Sequence, residues 1–494
     1  MPHLFISREY PPSPYSTGGI GTYVEHITRL LASRGETVHV IAQQWPGAPR
    51  SRESTQGGRL IVHRVPLDDA PEVVRDGRAG HRAVLASLRA SPVPAQAFMW
   101  NAATLAEWLI EHEGVDVIEA QEYEAPSYVL MARRASGRGP SRRVPVIIHL
   151  HTPTEFILRA NGWHEAVAEQ RGLIDAESYV IRSADALMCP SRFLARIAEE
   201  HYQLPAGRVQ VLPYPVGDTA VLPRDARTWS EGTIGFVGRM EPRKGVGEWL
   251  AAVRSTLKTH PDARFTFIGG DTWWPGQGER SVRESLVADV PAAQRERMVF
   301  LDAMPRRALA VHLAQSRIAT VPSRWENFPF TCIEAMASGL PVIVSPTGGM
   351  REMVEDGRTG WVAAAPDAPA LEAALRRALA VPPATLAEMG AAAAVSIRAL
   401  CDEATIAERS LALRNAVAAG GTVGPRLGEL PLPLPDPATA TDSVGRTELT
   451  GDTMTLRQIL QAPATQQRAV VRRALREPGH VLRWLAWHLR RRRS

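Results

Sequence analysis

Short apolar runs, each followed by a polar or glycine-rich turn and then apolar positions at helical spacing, recur along the chain. His3–Ser7 reads as a first strand. Pro11, Pro12 and Pro14 break structure after it. Gly18-Gly19-Ile20-Gly21 then opens a helix with apolar positions at Val24, Ile27, Leu30 and Leu31, and Val38–Ala42 follows Gly35 as the next strand. The same pattern predicts strands at Asp116–Ala120, Val146–His151, Ala184–Cys189, Thr233–Gly238, Ile318–Val321 and Pro341–Val344. Thr152-Pro153-Thr154-Glu155 predicts a capping box, and Ser191 a helix cap. Strand–loop–helix–strand units of this kind build parallel α/β domains, and their ligands bind beyond the carboxyl ends of the strands. A length of 494 residues implies two domains or more. Composition shifts divide the chain into 1–216, 217–417, a Pro/Gly-rich linker at 418–450 and a basic tail at 451–494.

The densest chemistry lies in Ser323–Ile343, where Glu326 and Glu334 flank a predicted helix start. Pro329 suits the first helical position, because it has no N–H to leave unpaired. The amides of Phe330, Thr331 and Cys332 would then be open to an anion, helped by the helix dipole. Glu326 is placed to accept from hydroxyls just outside the helix, and Glu334 over a turn further in. A phosphate with two hydroxyl-binding carboxylates suits a sugar nucleotide; a helix-start acid and a solvated surface Glu are the plainer alternative.

Thr233–Gly238 leads into Arg239-Met240-Glu241-Pro242-Arg243-Lys244-Gly245. Arg239 offers a planar fork for phosphate oxygens and Lys244 a point charge. Two fixed cations stabilise a departing diphosphate as its charge forms. A divalent metal is the competing device, and no D-x-D pattern occurs in the sequence. The Gly18-Gly19 turn lets backbone approach a phosphate, but it is not a G-x-G-x-x-G nicotinamide fingerprint. His149 and His151 share a strand face without the Cys or acidic neighbours of a metal site. His151, at the strand's carboxyl end, is either a contact that positions reactants or a hydrogen-bonded scaffold residue.

The Glu326–Glu334 segment resembles the E-x7-E signature of retaining glycosyltransferases of the GT-B fold, in particular glycosyltransferase family 4. Gly238, Arg239, Lys244 and Gly245 match the family's G-R-x-x-x-x-K-G motif, and Thr347–Val354 is similar to the family's downstream run. The family more commonly has Gly where Asn327 and Pro329 stand. The resemblance covers roughly residues 1–415. It implies two Rossmann-like doubly wound domains with a cleft between them, and a final helix near Cys401–Val417 packed back on the first domain. It implies a donor site of Gly18, Gly19, Gly238, Asn327, Phe328, Pro329, Phe330, Thr331 and Glu334. Arg239, Lys244, Glu326 and His151 stand as the candidate catalytic residues. Glu326 is implied beside the donor sugar and Glu334 on the ribose. Retention of anomeric configuration is likewise implied by the resemblance.

Composition adds bounds. Cys189, Cys332 and Cys401 fall at no metal or disulfide spacing, which fits a reducing compartment. The first strand starts almost at Met1, so no secretory signal is expected, and no uninterrupted apolar run is long enough to span a membrane. Residues 468–494 hold nine Arg and one Glu, a charge of +8 against +5 for the whole chain. The remainder is therefore at −3, and the high pI belongs to the tail. Trp484 and Trp487 among these arginines suit a helix lying on an anionic membrane; a solvated helix or a tail packed on its own domain are the alternatives. No nucleic-acid-binding fold is visible.

The sequence thus predicts a metal-independent transferase without a cofactor. It moves a hexosyl group from a nucleotide diphosphate sugar to a lipid, polysaccharide or small-molecule hydroxyl. It is expected in the cytoplasm, on the inner membrane face if the tail binds there. A sugar-nucleotide epimerase and a binding subunit that has lost catalysis are the alternatives.

Overall fold

The computed structural model describes residues 1–13, 18–45, 48, 51–77, 80–91, 93, 95–217, 221–272, 280–420 and 430–435. The basic tail and most of the predicted linker lie outside the described residues.

Among the described residues, two sheets account for the strands. The first contains β1 (Pro2–Ile6), β2 (Thr37–Gln43), β3 (Arg52–Thr55), β4 (Leu60–Val65), β5 (Val117–Gln121), β6 (Val146–His149), β7 (Ala186–Cys189) and β8 (Val209–Val211). Its order is β3-β4-β2-β1-β5-β6-β7-β8, parallel except for the antiparallel edge pair β3–β4. The second contains β9 (Thr233–Val237), β10 (Phe265–Ile268), β11 (Met298–Leu301), β12 (Ser316–Val321), β13 (Val342–Val344) and β14 (Gly360–Val362). Its order is β11-β10-β9-β12-β13-β14, parallel throughout. Strands buried on both faces carry unbroken apolar runs such as Leu4-Phe5-Ile6 and Val342-Ile343-Val344, as helix-covered parallel sheets require.

The strand order of each sheet reverses once, between β1 and β5 and between β9 and β12. Such reversals open a crevice at the carboxyl ends of the strands. The lobes meet there. Ser191 Oγ donates to Asn327 Oδ1 (2.5 Å), and Asn327 Nδ2 donates to the His151 carbonyl (2.8 Å). Glu352 accepts from the amides of Arg192 (3.0 Å) and Phe193 (2.8 Å), so a second-lobe carboxylate caps a first-lobe helix. One apolar cluster runs from Phe5 and Val40 through Tyr214 and Phe330 to Val342 and Met350, so the lobes share a core.

The chain ends its second lobe with the helices Pro383–Leu400 and Glu403–Gly420. The second returns to the first lobe. Buried Arg414 donates to buried Glu119 of β5, which also faces His149, and its guanidinium lies 4.6 Å from the Phe5 ring. By length and composition alone, Pro383–Gly420 could cross a membrane. No uninterrupted apolar run was expected to do so, and alanines account for this stretch. Its helices are fastened to both lobes, through Arg398 to the Ala337 carbonyl (3.0 Å) and through Arg414 to Glu119.

The flexible Pro/Gly-rich linker expected over 418–450 needs correction at its start and at 430–435. The helix continues to Gly420, and Leu430–Pro435 docks on the first lobe. Tyr128 Oη donates to the Leu432 carbonyl (2.5 Å) and accepts from the Leu432 amide (2.9 Å). Leu432 is buried in the first-lobe core, with Leu430 and Leu434 packed beside it. Alternating Leu and Pro favours an extended strap, with leucines able to insert and its polar groups answered by a tyrosine.

Candidate active site

Two glycine contacts set the loops in place. Gly245 has φ +68°, and a Cβ there would lie 2.0 Å from the Pro322 carbonyl oxygen; the turn after β9 can lie on the end of β12 only without a side chain. Gly348 has φ +78°, and its Cβ would lie 1.7 Å from the Glu326 carbonyl oxygen, which also accepts from the Gly349 amide (3.1 Å). The backbone of Glu326 is therefore pinned against the Gly348-Gly349 loop.

Its carboxylate gathers cations. Lys244 Nζ and Arg243 Nη1 both donate to Glu326 Oε2, the latter at 2.9 Å. Arg243 Nη2 donates to Glu241 Oε1 (2.8 Å), and Arg239 Nη2 reaches the same oxygen at 3.3 Å. Three cations thus surround two carboxylates. Burial alone would raise the Glu326 carboxyl, but Lys244 and Arg243 outweigh it and hold it at about 2. Burial lowers Lys244 despite Glu326 beside it, and the Arg243 side chain is only 5% exposed. Arg239 is the solvent-facing member, 60% exposed. It also faces the first lobe. Glu9, in the loop after β1, is pushed up to about 7 by burial and Glu124, against the opposing charges of Arg239 and Arg8.

The second carboxylate lies on the helix Phe330–Ala337. Pro329 is the cap of this helix and not its first residue, with φ −72° and ψ 128°. The Cys332 amide is taken by the Pro329 carbonyl (3.0 Å), so the expected trio of open amides reduces to Phe330 and Thr331. Arg306 Nε lies 3.0 Å from Glu334 Oε1, and Arg306 Nη2 donates to Thr22 Oγ1 of the first lobe (3.0 Å). Burial raises the Glu334 carboxyl, and Arg306 opposes it. Gly18 caps the helix Gly19–Ser33, and a Cβ on Gly19 would touch the Phe330 ring at 3.8 Å. Two helix starts, one from each lobe, therefore converge on one place and favour an anion there.

His151 enters from the loop after β6. Its Nδ1 faces Tyr214 Oη at 2.5 Å, and its Nε2 faces Gln121 Oε1. It stacks on His149, 4.5 Å between centroids, and is 6% exposed. Burial, with a small push from His149, keeps it neutral. With both nitrogens occupied, the ring stands here as a hydrogen-bonded scaffold. The capping box expected after it does not form. The helix spans Thr154–Ala160, and Glu177 from a distant helix accepts from the Thr154 amide (2.8 Å) and hydroxyl (2.5 Å). Thr152 Oγ1 turns back to the His151 carbonyl instead (2.5 Å). Ser191 does cap its helix, accepting from the Leu194 amide (3.1 Å). Asn327 is 2% exposed, with its side-chain atoms committed to the lobe contact, and Phe328 packs on Tyr214.

The structure brings Gly238, Arg239, Lys244, Glu326 and the start of Phe330–Ala337 to one carboxyl edge, with Gly18 and Gly19 opposite. Against this geometry the family comparisons are decisive. The model described as Glycosyltransferase Family 4 matches residues 17–218, and that described as Glycosyl transferases group 1 matches residues 227–395. The chain belongs to glycosyltransferase family 4. It is 27% identical over 391 residues to glycogen synthase of Mycobacterium tuberculosis, covering 76% of this chain and 85% of that one. It is 29% identical over 367 residues to D-inositol 3-phosphate glycosyltransferase of Acidothermus cellulolyticus, covering 71% and 75%. Sucrose-phosphate synthase from Thermosynechococcus elongatus superposes with a TM-score of 0.66 at 21% identity, over 85% of this chain and 99% of that one. Anabaena HepE in complex with UDP and glucose superposes at 0.58 and 15% identity, over 84% and 99%. These likenesses give the glycosyltransferase the GT-B fold.

Several residues of this glycosyltransferase carry no distinguishing mark in the sequence. Arg243 sits inside the cationic motif but looks like a solvated neighbour of Lys244. Tyr214 lies between two prolines, and Arg306 in an ordinary helix. Glu122 and Glu177 are buried behind the first-lobe loops, each pushed up to about 8 by burial against the hydrogen bonds it accepts. Glu124 and Ala125, at φ 59° and 41°, form a strained turn after β5. The Glu177 carboxylate (2.8 Å to the Glu124 amide) and Arg8 (2.7 Å to Glu124 Oε2) hold that turn. Only three-dimensional proximity identifies these groups.

Proposed function

We propose that the chain transfers a hexosyl group from a nucleotide diphosphate sugar to an acceptor hydroxyl, with retention and without a metal ion. One observation carries this reading: Arg239, Lys244 and Glu326 meet at the β9/β12 switch point, opposite the Gly18-Gly19 helix start. The donor diphosphate lies between Arg239, Lys244 and the two helix starts, where its growing charge meets groups already in place. Glu326 accepts from hydroxyls of the donor sugar, and Glu334 from those of the ribose, with Arg306 turning its carboxylate. The glycosyl–oxygen bond breaks toward the cations, the acceptor oxygen adds on the same face, and a diphosphate oxygen takes the acceptor proton. His151 holds the first-lobe wall.

The acceptor enters from the first lobe, past the Glu124-Ala125 turn. It is a lipid, a polysaccharide or a small molecule. The names of the relatives, a glycogen synthase and a D-inositol 3-phosphate glycosyltransferase, support the last two classes. The structure solved with UDP and glucose supports a nucleotide-sugar donor. The enzyme is proposed to work in the cytoplasm, with its basic tail on the inner membrane face. Loss of liposome binding on deleting Gln467–Ser494 tests the tail; undiminished binding excludes that role.

The test of the activity is a panel of UDP-, GDP- and ADP-hexoses with an acceptor extract, read as nucleoside diphosphate release. Release from one donor, undiminished by EDTA and yielding a product of unchanged anomeric configuration, is expected. No release from any donor overturns the reading.

A further inference from the structure

We infer that Asn161 and Arg243 form a latch that couples closure of the two lobes to the placement of Glu326, with Arg243 as the positioning residue. The inference rests on the transfer reading above, and goes beyond it in naming how the centre is assembled.

Arg243 is fastened on both sides of the crevice. Its amide donates to Asn161 Oδ1 of the first lobe (2.9 Å). Its carbonyl accepts from the Arg324 amide (2.8 Å), its Nη1 donates to the Trp325 carbonyl (3.2 Å), and the same nitrogen holds Glu326 Oε2 at 2.9 Å. Arg243 thus grips three successive residues of the loop that ends in Glu326. With the lobes in contact, Asn161 is 1% exposed and Arg243 5%. Separating the lobes exchanges the Asn161 contact for water and releases one end of the grip.

A second interlobe contact adjoins Glu326 on its other side. Asn327 reaches the His151 carbonyl and Ser191. Glu326 therefore sits between residues that the first lobe fixes. An ion pair needed only for folding of the second lobe would require no first-lobe partner.

The full-length chain tests the latch with Asn161→Ala, Asn161→Asp, Arg243→Met and Arg243→Lys. Asn161→Asp retains an acceptor oxygen and Arg243→Lys a cation. Asn161→Ala should lower kcat about tenfold or more with donor KM changed less than about twofold, since misplacement by about 1 Å can cost up to a hundredfold. Asn161→Asp should restore most of the loss. Arg243→Met should cost more and move the acid limb of the kcat–pH profile upward, with Arg243→Lys moving it back. X-ray scattering of the ligand-free proteins should give a larger radius of gyration for Asn161→Ala than for wild type, with an intact thermal transition. An unchanged radius together with unchanged kcat, or a kcat loss that Asn161→Asp does not relieve, overturns the latch. A wild-type chain inactive with every donor overturns the transfer reading instead, and the scattering comparison then decides the latch alone.

Discussion

Tyr214 Oη lies 2.5 Å from His151 Nδ1, while the Tyr214 ring stacks on Phe330 with centroids 5.0 Å apart. One tyrosine therefore ties the wall of the first lobe to the helix start of the second. Burial holds the His151 imidazole well below its ordinary value, so its protonation is not expected to gate the proposed reaction. The kcat–pH profile is expected to show no limb near pH 6.5. Tyr214→Phe should cost about 1–3 kcal/mol of stability, because it leaves a buried nitrogen unanswered. Denaturant unfolding and a pH–rate profile check both; a limb near 6.5 that disappears in His151→Gln contradicts the scaffold assignment.

Arg239 is the exposed member of the cationic group, so its loss leaves the Arg243–Glu241 pair standing. Arg239→Ala should lower turnover by about 10²–10³-fold, the usual effect of removing one preplaced charge from a transition state. Unfolding should be nearly unchanged. Turnover within about threefold of wild type would exclude the role given to it.

The strap Leu430–Pro435 contributes a buried leucine and two hydrogen bonds to the first lobe. Leu432→Ala should destabilise that lobe by about 2 kcal/mol, at the low end for core leucines because the strap can settle. Truncation after Gly420 should cost more. A truncated chain as stable as the full one would mean that the docked strap adds nothing.

Much of the fold was legible, because parallel strands buried on both faces announce themselves as apolar runs, and Gly-Arg and Glu-rich loops mark their carboxyl ends. Arg239, Lys244 and Glu326 were singled out by their resemblance to the family's motifs. A fourth member of the group was not: Arg243 differs from a surface arginine only in what folds over it. Local rules also failed where a distant group substituted for a near one. Thr152 offered a cap, but Glu177 answers the Thr154 amide from another helix. Pro329 offered a first helical residue, but its extended ψ of 128° makes it the cap. The Leu-Pro strap looked like linker because composition cannot show that Tyr128 waits for it.

Glu122 makes stability depend on pH in a direction that can be worked out. Its Oε1 accepts from the amides of His151 (2.6 Å) and Thr152 (2.5 Å), while its buried Oε2 has no partner among the described residues. A protonated acid fits that arrangement better than a carboxylate, in keeping with a folded value pushed up to about 8 by burial. The unfolded side chain titrates near 4.3. Between those values the folded state holds a proton that the unfolded state has lost. Stability from this group is therefore complete below the unfolded value and is lost as pH rises through about 8. The limiting slope is about 1.4 kcal/mol per pH unit. Glu122→Gln mimics the neutral form and keeps an oxygen for the two amides. It should flatten the fall in thermal midpoint between about pH 5 and pH 8, leaving the variant more stable than wild type at the alkaline end. Parallel curves for the two proteins would show that Glu122 is already ionised in the folded chain.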